Sequence, residues 1–228
     1  MDQQQALLET LQTDNPYSGS IKLACSGALA QWLYPKFIAL QAQHQSLEVQ
    51  FESAPNKRIF ECVRQDHCLF GLVTQTPNQG EFSVKHIGVE ILCLVLPKAY
   101  QNTPITSETL HKIGLVDHPD ANQYLAKYIE ECGNPELSEV SLKTLPHCTT
   151  INQLSQILYP ITKGIGFTVL PLSAVVSSPF YSDLYVHIAH NNVEDSLYLI
   201  CKKDRPLPSR YQQFITLIEQ SVHQPKST

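Results

Sequence analysis

Along the first third of the chain, apolar runs of two kinds alternate. Residues 21–25 form a short, nearly continuous apolar run of strand length. Ser26, Gly27 and Ala28 follow, and then Leu29, Trp32, Leu33, Phe37 and Leu40 recur at helical spacing. Pro35 falls inside that pattern and implies a late helix start or a kink, because it has no N–H for the helix ladder. Val49, Phe51 and Ser53 alternate with Glu48, Gln50 and Glu52, the period of a half-buried strand. Ala54-Pro55-Asn56 opens a second helix carrying Ile59, Phe60 and Val63, and residues 69–73 make a third strand. Strands alternating with helices in this way predict a parallel sheet covered on both faces.

Residues 89–96 read as a long apolar strand closed by Pro97, after which the alternation restarts. Residues 113–116 are a strand, 121–132 a helix, and Gly133-Asn134-Pro135 its stop. Thr149-Thr150-Ile151-Asn152 leads into a helix ending at Lys163, and residues 166–170 form a strand closed by Pro171. Residues 184–188 and 197–201 are two more strands, and 210–222 a final amphipathic helix. The pattern gives an α/β chain of two similar lobes. Lobe I takes residues 19–97 and 198–228, and lobe II takes 98–197. Residues 1–18 are the end of a longer helix and a linker, with Leu7, Leu8 and Leu11 at helical spacing before the break at Asn15-Pro16.

Composition narrows the function classes. No apolar run approaches the roughly 18 residues of a membrane span, so no membrane role is expected. The start, Met1-Asp2-Gln3-Gln4-Gln5, does not resemble a secretory signal. Sixteen basic against 21 acidic residues give a net charge of −5 without a basic cluster, so this chain alone is a poor ligand for nucleic acid. Seven cysteines, an odd number without Cys-x-x-Cys, argue against a disulfide scaffold and a four-cysteine zinc site. Cys25, Cys93 and Cys201 sit in strand-like runs and read as buried free thiols, which suits a cytoplasmic location.

Several segments, in order, resemble the effector-binding domains of LysR-type transcriptional regulators. They are Ile21 to Ser26, the Leu33-Tyr34-Pro35 and Phe37 of the first helix, Leu92 to Pro97, Gly164-Ile165-Gly166-Phe167-Thr168-Val169-Leu170-Pro171, and Leu197 to Leu207. The similarity runs over residues 18–222. It implies a type 2 periplasmic-binding-protein-like fold: two Rossmann-like lobes joined by two crossover strands, with a ligand cleft between the lobes. It also implies a non-enzymatic sensor without cofactor that binds a small effector and forms a homodimer or homotetramer. Promoter DNA and RNA polymerase would be met only through a winged helix-turn-helix in a full-length protein, with Met1 here an introduced start. In the family these domains pair antiparallel, which would set Phe37 and residues 49–51 against residues 124–128 of a partner. The family often has an Asp where this chain has Phe70 and a polar residue where it has Ala28, and Pro160 is unusual before Gly164.

Ligands of open α/β sheets bind beyond the carboxyl ends of the strands. That points to Ser26, Gly27 and Ala28 in lobe I and to Thr149, Thr150 and Asn152 in lobe II, where free helix N–H groups favour an anion. Hydroxyls there serve equally as helix caps; the resemblance weights Ser26 and Thr150 toward the effector. Ser53, Thr74 and Gln75 are further strand-end candidates, and His118 follows the first strand of lobe II. Asp117, His118 and Asp120, and His147 beside Cys148, have no sequence feature that makes them converge, so no metal site is expected. Peroxide-sensing members of the family use a cysteine pair near Cys132, which has no partner at the matching spacing here. There is no nucleophile elbow, phosphate loop or zinc-protease helix. A free-standing solute-binding protein is the rival reading, disfavoured by the absence of an export signal and by seven cysteines.

Overall fold

The computed structural model describes residues 14–223, and the helical reading of residues 2–13 lies outside them. In chain order the elements are β1 (Gly19–Cys25), α1 (Gly27–Gln43), β2 (Leu47–Ser53), α2 (Asn56–Arg64), β3 (Phe70–Val73) and β4 (Phe82–Pro97). They continue with α3 (Ser107–Ile113), β5 (Leu115–Asp117), α4 (Ala121–Glu131), β6 (His147–Thr150), α5 (Leu158–Thr162) and β7 (Thr168–Pro171). The last are α6 (Leu172–Val176), β8 (Leu184–His187), β9 (Val193–Lys202) and α7 (Ser209–His223). The chain divides into two compact units, one built from residues up to Val89 and again from Ser196, the other from Glu90–Asp195. Both divisions fall inside a strand, β4 and β9, rather than at its end.

In the first unit, β1 lies between β2 and β3 and is parallel to both, with Cys25 level with Ser53 and Ala24 level with Gly71. β9 runs antiparallel to β3, so the sheet is mixed rather than wholly parallel. α1 runs unbroken through Pro35. An interior proline costs about 3 kcal/mol; burial of Leu29, Leu33 and Phe37 offsets it. Phe37 meets Phe214 of α7 edge-on at 4.7 Å and Phe51 of β2 at 5.4 Å. Tyr211, Phe214 and Ile218 of α7 complete this core with Ile21, Leu23 and Phe70. On the other side of the sheet, Ile59 and Val63 of α2 pack with Ala24 and Ile200. A Cβ at Gly71 would collide with Ile59, so α2 sits directly on β3 at that point.

In the second unit, β4 pairs antiparallel with both β7 and β8. Leu92, Leu94 and Leu96 enter one core with Leu125, Tyr128 and Phe167, while Cys93 and Val95 enter another with Leu158 and Ile161. Burial of alternate residues on both faces explains why this strand reads as one continuous apolar run. A smaller parallel pair, β5 and β6, carries a bulge that places Cys148 as the extra residue. α3, β6 and α6 are absent from the sequence reading. The helix expected before Lys163 is instead β6, a single 3₁₀ turn at Leu154–Gln156, and the five-residue α5. The β-branched run Thr149-Thr150-Ile151 favours strand, and Pro160 is tolerated in the first turn of α5, where its N–H is not needed.

The cysteines depart from the free-thiol reading at one place. Cys62 and Cys68 are paired as a disulfide, their Cα atoms 5.4 Å apart, within the span such a bridge allows. Asp66 takes a left-handed conformation (φ 60°) and reverses the chain at the end of α2. The N–H groups of His67 and Cys68 then both donate to the Cys62 carbonyl, at 2.9 and 3.2 Å. Lys202 and Arg205 hold the Asp66 carboxylate, and the hydrogen bond from Lys202 leads in keeping its pKa below the ordinary range. Among the described residues no helix is long and apolar enough to cross a membrane.

Candidate functional site

The parallel order β2-β1-β3 brings three strand ends together in the first unit, and the residues that follow them become neighbours. Ser26 is the N-cap of α1, its hydroxyl accepting from the Leu29 N–H at 3.3 Å, with no acidic residue in the first turn. Gly27 and Ala28 open that helix, Gly27 half-buried and Ala28 buried. The Cys25 carbonyl accepts from Ala54 N–H at 2.9 Å, which fixes the exit of β2 and leaves Ser53 exposed. Thr74 is half-buried and Gln75 exposed. Asn56, which the sequence reading passed over, donates from its amide to the Thr74 hydroxyl at 3.0 Å and accepts from the Thr74 N–H at 3.1 Å. An Asn at the first position of a predicted helix reads only as an end signal; its cross-strand partner appears once β2 and β3 are both placed.

In the second unit, Thr150 is level with Asp117 in the parallel β5–β6 pair, and Ile151 N–H donates to the Asp117 carbonyl at 2.9 Å. Thr149 and Thr150 therefore end a strand and do not cap a helix. They line a surface hollow of about 520 Å³ with Ile151, Gln156, Tyr159 and Phe180, a size suited to a small ligand. Lys163 places its ammonium 5.3 Å from the centre of the Tyr159 ring on that wall. Asn152 is exposed beyond the strand.

His118 is buried. Its Nδ1 accepts from the Asp120 N–H at 3.3 Å, which assigns the proton to Nε2; that nitrogen donates to the Thr168 hydroxyl at 3.1 Å. Thr168 in turn donates to the Val116 carbonyl at 3.3 Å. Burial holds the imidazole pKa below its ordinary value against the pull of Asp120 and Asp117. A neutral ring with both nitrogens engaged braces β5 against β7. Asp117 instead approaches His147, Nδ1 to Oδ2 3.6 Å.

Three of the free thiols are poor nucleophiles. Burial raises the pKa of Cys25 far above the thiol range, that of Cys201 to about 11, and that of Cys148 as well. The thiolate is the reactive form, so none of these three has the electrostatics of a peroxide sensor.

Residues 14–222 match the model of the LysR substrate binding domain family. No curated protein matches the sequence. Among solved structures, a cysteine-to-serine variant of the OxyR2 regulatory domain from Vibrio vulnificus is 12% identical with a TM-score of 0.69, covering 91% of this chain and 97% of that one. Full-length OxyR from Pseudomonas aeruginosa, as a cysteine-to-aspartate variant, is 17% identical with a TM-score of 0.70, covering 97% and 75%. Full-length CbnR in complex with its target DNA is 13% identical with a TM-score of 0.66, covering 96% and 74%. At these identities the likeness is one of fold.

Proposed function

Because the chain belongs to the LysR substrate-binding domain family, we propose that it is the sensing part of a DNA-binding transcriptional regulator, responding to a small anionic effector. The strand ends of the first unit carry this reading. Ser26, Ser53, Asn56 and Thr74 present hydroxyl and amide groups around the N-terminus of α1, whose 17 residues place a partial positive charge there. The absence of an acidic side chain in that first turn leaves the charge uncompensated. In the second unit, the hollow beside Thr149 and Thr150 offers their hydroxyls and the Gln156 amide to a small polar ligand. Effector binding would shift the regulator between two arrangements by its differential affinity for them. DNA and RNA polymerase belong to the partners of the complete regulator, and self-association through residues 49–51 and the accessible positions of residues 124–128 to its assembly; Phe37, Leu125 and Tyr128 are buried in the cores and would not meet a partner.

Thermal-shift screening against a panel of small carboxylates, phosphates and their neutral analogues tests the proposal. An anion should raise the melting temperature, and Ser26→Ala and Thr150→Ala should each reduce that increase. Ser26→Asn keeps the helix cap and separates loss of ligand from loss of capping. A ligand response unchanged by both alanine variants would refute the assignment.

A further inference from the structure

We infer that Glu52, Cys62 and Cys68 form a binding site for a thiophilic divalent cation of the zinc class when the cysteine pair is reduced. A carboxylate oxygen of Glu52 and the two sulfurs lie within 4.8 Å of one another. They come from three places brought together by the fold: the end of β2, the last turns of α2, and the residue two before β3. Cys62 is fully buried and Cys68 is 4% exposed.

The three groups are held independently of the cation. Glu52 is divided between two partners: Oε1 accepts from Arg58 Nε at 2.9 Å, while Oε2 lies 3.3 Å from Cys62 Sγ, within reach of a thiol donor. Cys68 is fixed by the turn that closes on the Cys62 carbonyl and by the grip of Lys202 and Arg205 on Asp66. Two thiolates around tetrahedral zinc stand roughly 3.8 Å apart, with a carboxylate oxygen at about 2.0–2.2 Å from the metal. Ligand atoms confined to this span can share one centre after small side-chain rotations. Two thiolates and a carboxylate packed together would repel one another. A divalent cation leaves a single net negative charge, beside which Arg58 already stands. Three protein ligands leave a fourth position for water.

The site and the disulfide exclude each other, since both use the same sulfurs. A phosphine reductant converts the disulfide and one water to two thiols and a phosphine oxide. The cation then replaces the two thiol protons, which are released. Glu52 precedes Ser53 in the chain, so the cation would tie the end of α2 to the end of β2 within the first unit.

Isothermal titration of phosphine-reduced protein with zinc, and cobalt absorption for thiolate charge transfer, test the inference. One equivalent should bind with proton release. Cys62→Ser and Cys68→Ser should each abolish it, Glu52→Gln should weaken it by about tenfold or more, and Cys148→Ser should leave it unchanged. If the serine variants do not fold, Cys62→Ala and Cys68→Ala keep the test in an apolar core. The assignment is overturned by fully reduced protein that binds no zinc, by sulfurs that stay paired under phosphine, by binding that survives either cysteine change, or by unaltered affinity in Glu52→Gln.

Discussion

Asn56 and Thr74 grip each other twice, the Asn56 amide nitrogen donating to the Thr74 hydroxyl and the Thr74 backbone N–H donating back to the Asn56 carbonyl oxygen. This reciprocal pair joins the first residue of α2 to the residue after β3, and so fixes two of the strand-end segments on which effector sensing would depend. Asn56→Ala leaves a partly buried backbone N–H without its partner. A cost of about 1–3 kcal/mol is expected, read as a lower urea midpoint, with faster amide exchange at Thr74. Unchanged exchange there would show that water replaces the amide at no cost.

Two glycines separate backbone strain from steric exclusion. Gly164 and Gly166 both have positive φ, 79° and 76°. A Cβ at Gly164 meets nothing within 4 Å, whereas one at Gly166 would collide with Cys148 Sγ and Val116. Gly164→Ala should cost about 1–2 kcal/mol from conformation alone. Gly166→Ala should cost at least about 1–3 kcal/mol more from overpacking, measured by denaturant unfolding. Equal losses would refute the difference.

Acid should weaken the second unit through His118. Its folded pKa lies below the ordinary 6.5, so the unfolded chain binds the proton more readily. The stabilisation is complete above about pH 6.5 and is lost as the pH falls from there toward the folded pKa. His187 is shifted in the same direction, also by burial, and adds to the slope. Unfolding free energy followed from pH 7.5 to 5 should fall less steeply in His118→Gln than in the parent. Parallel curves would mean that His118 titrates alike in both states.

Tyr211 secures the last helix. Its hydroxyl accepts from Lys22 N–H at 3.0 Å and lies 3.4 Å from the Ser20 carbonyl, joining α7 to β1. Tyr211→Phe keeps the ring against Phe70 but leaves that N–H unpaired. A loss of about 1–3 kcal/mol with an unchanged denaturant slope is expected. A changed slope would indicate that the helix detaches.

Most of the first unit was legible because its signals are local and agree with one another. Strand and helix periods switch cleanly between residues 21 and 73, and even Pro35 did not hide α1. The second unit was less so. β6 is four residues long with three exposed or half-exposed polar positions, and its pairing with β5 is disturbed by the Cys148 bulge, so it carries no alternating pattern. α3 and α6, at seven and five residues, are too short for helical periodicity to stand out. Of the candidate site, Ser26, Ser53 and Thr74 followed from the rule that ligands meet the ends of parallel strands. Asn56 did not, because its partner lies 18 residues away and becomes a neighbour only through the sheet. Cys62 and Cys68 were missed for a related reason: a six-residue separation brings sulfurs together only if the helix between them stops and reverses, and that rests on the φ of Asp66.

The first unit is closed by residues from both ends of its chain, and this sets an order of events during synthesis. Residues 90–195 are contiguous and can gather their own core as soon as they leave the ribosome. Leu33, Phe37 and Phe70 emerge earlier, yet their partners Tyr211, Phe214 and Ile218 come last. The segment made first must therefore wait with its apolar face uncovered until the final helix arrives. A chain interrupted before residue 209 would carry one finished unit and one open one, a form that proteases and chaperones can distinguish from the whole.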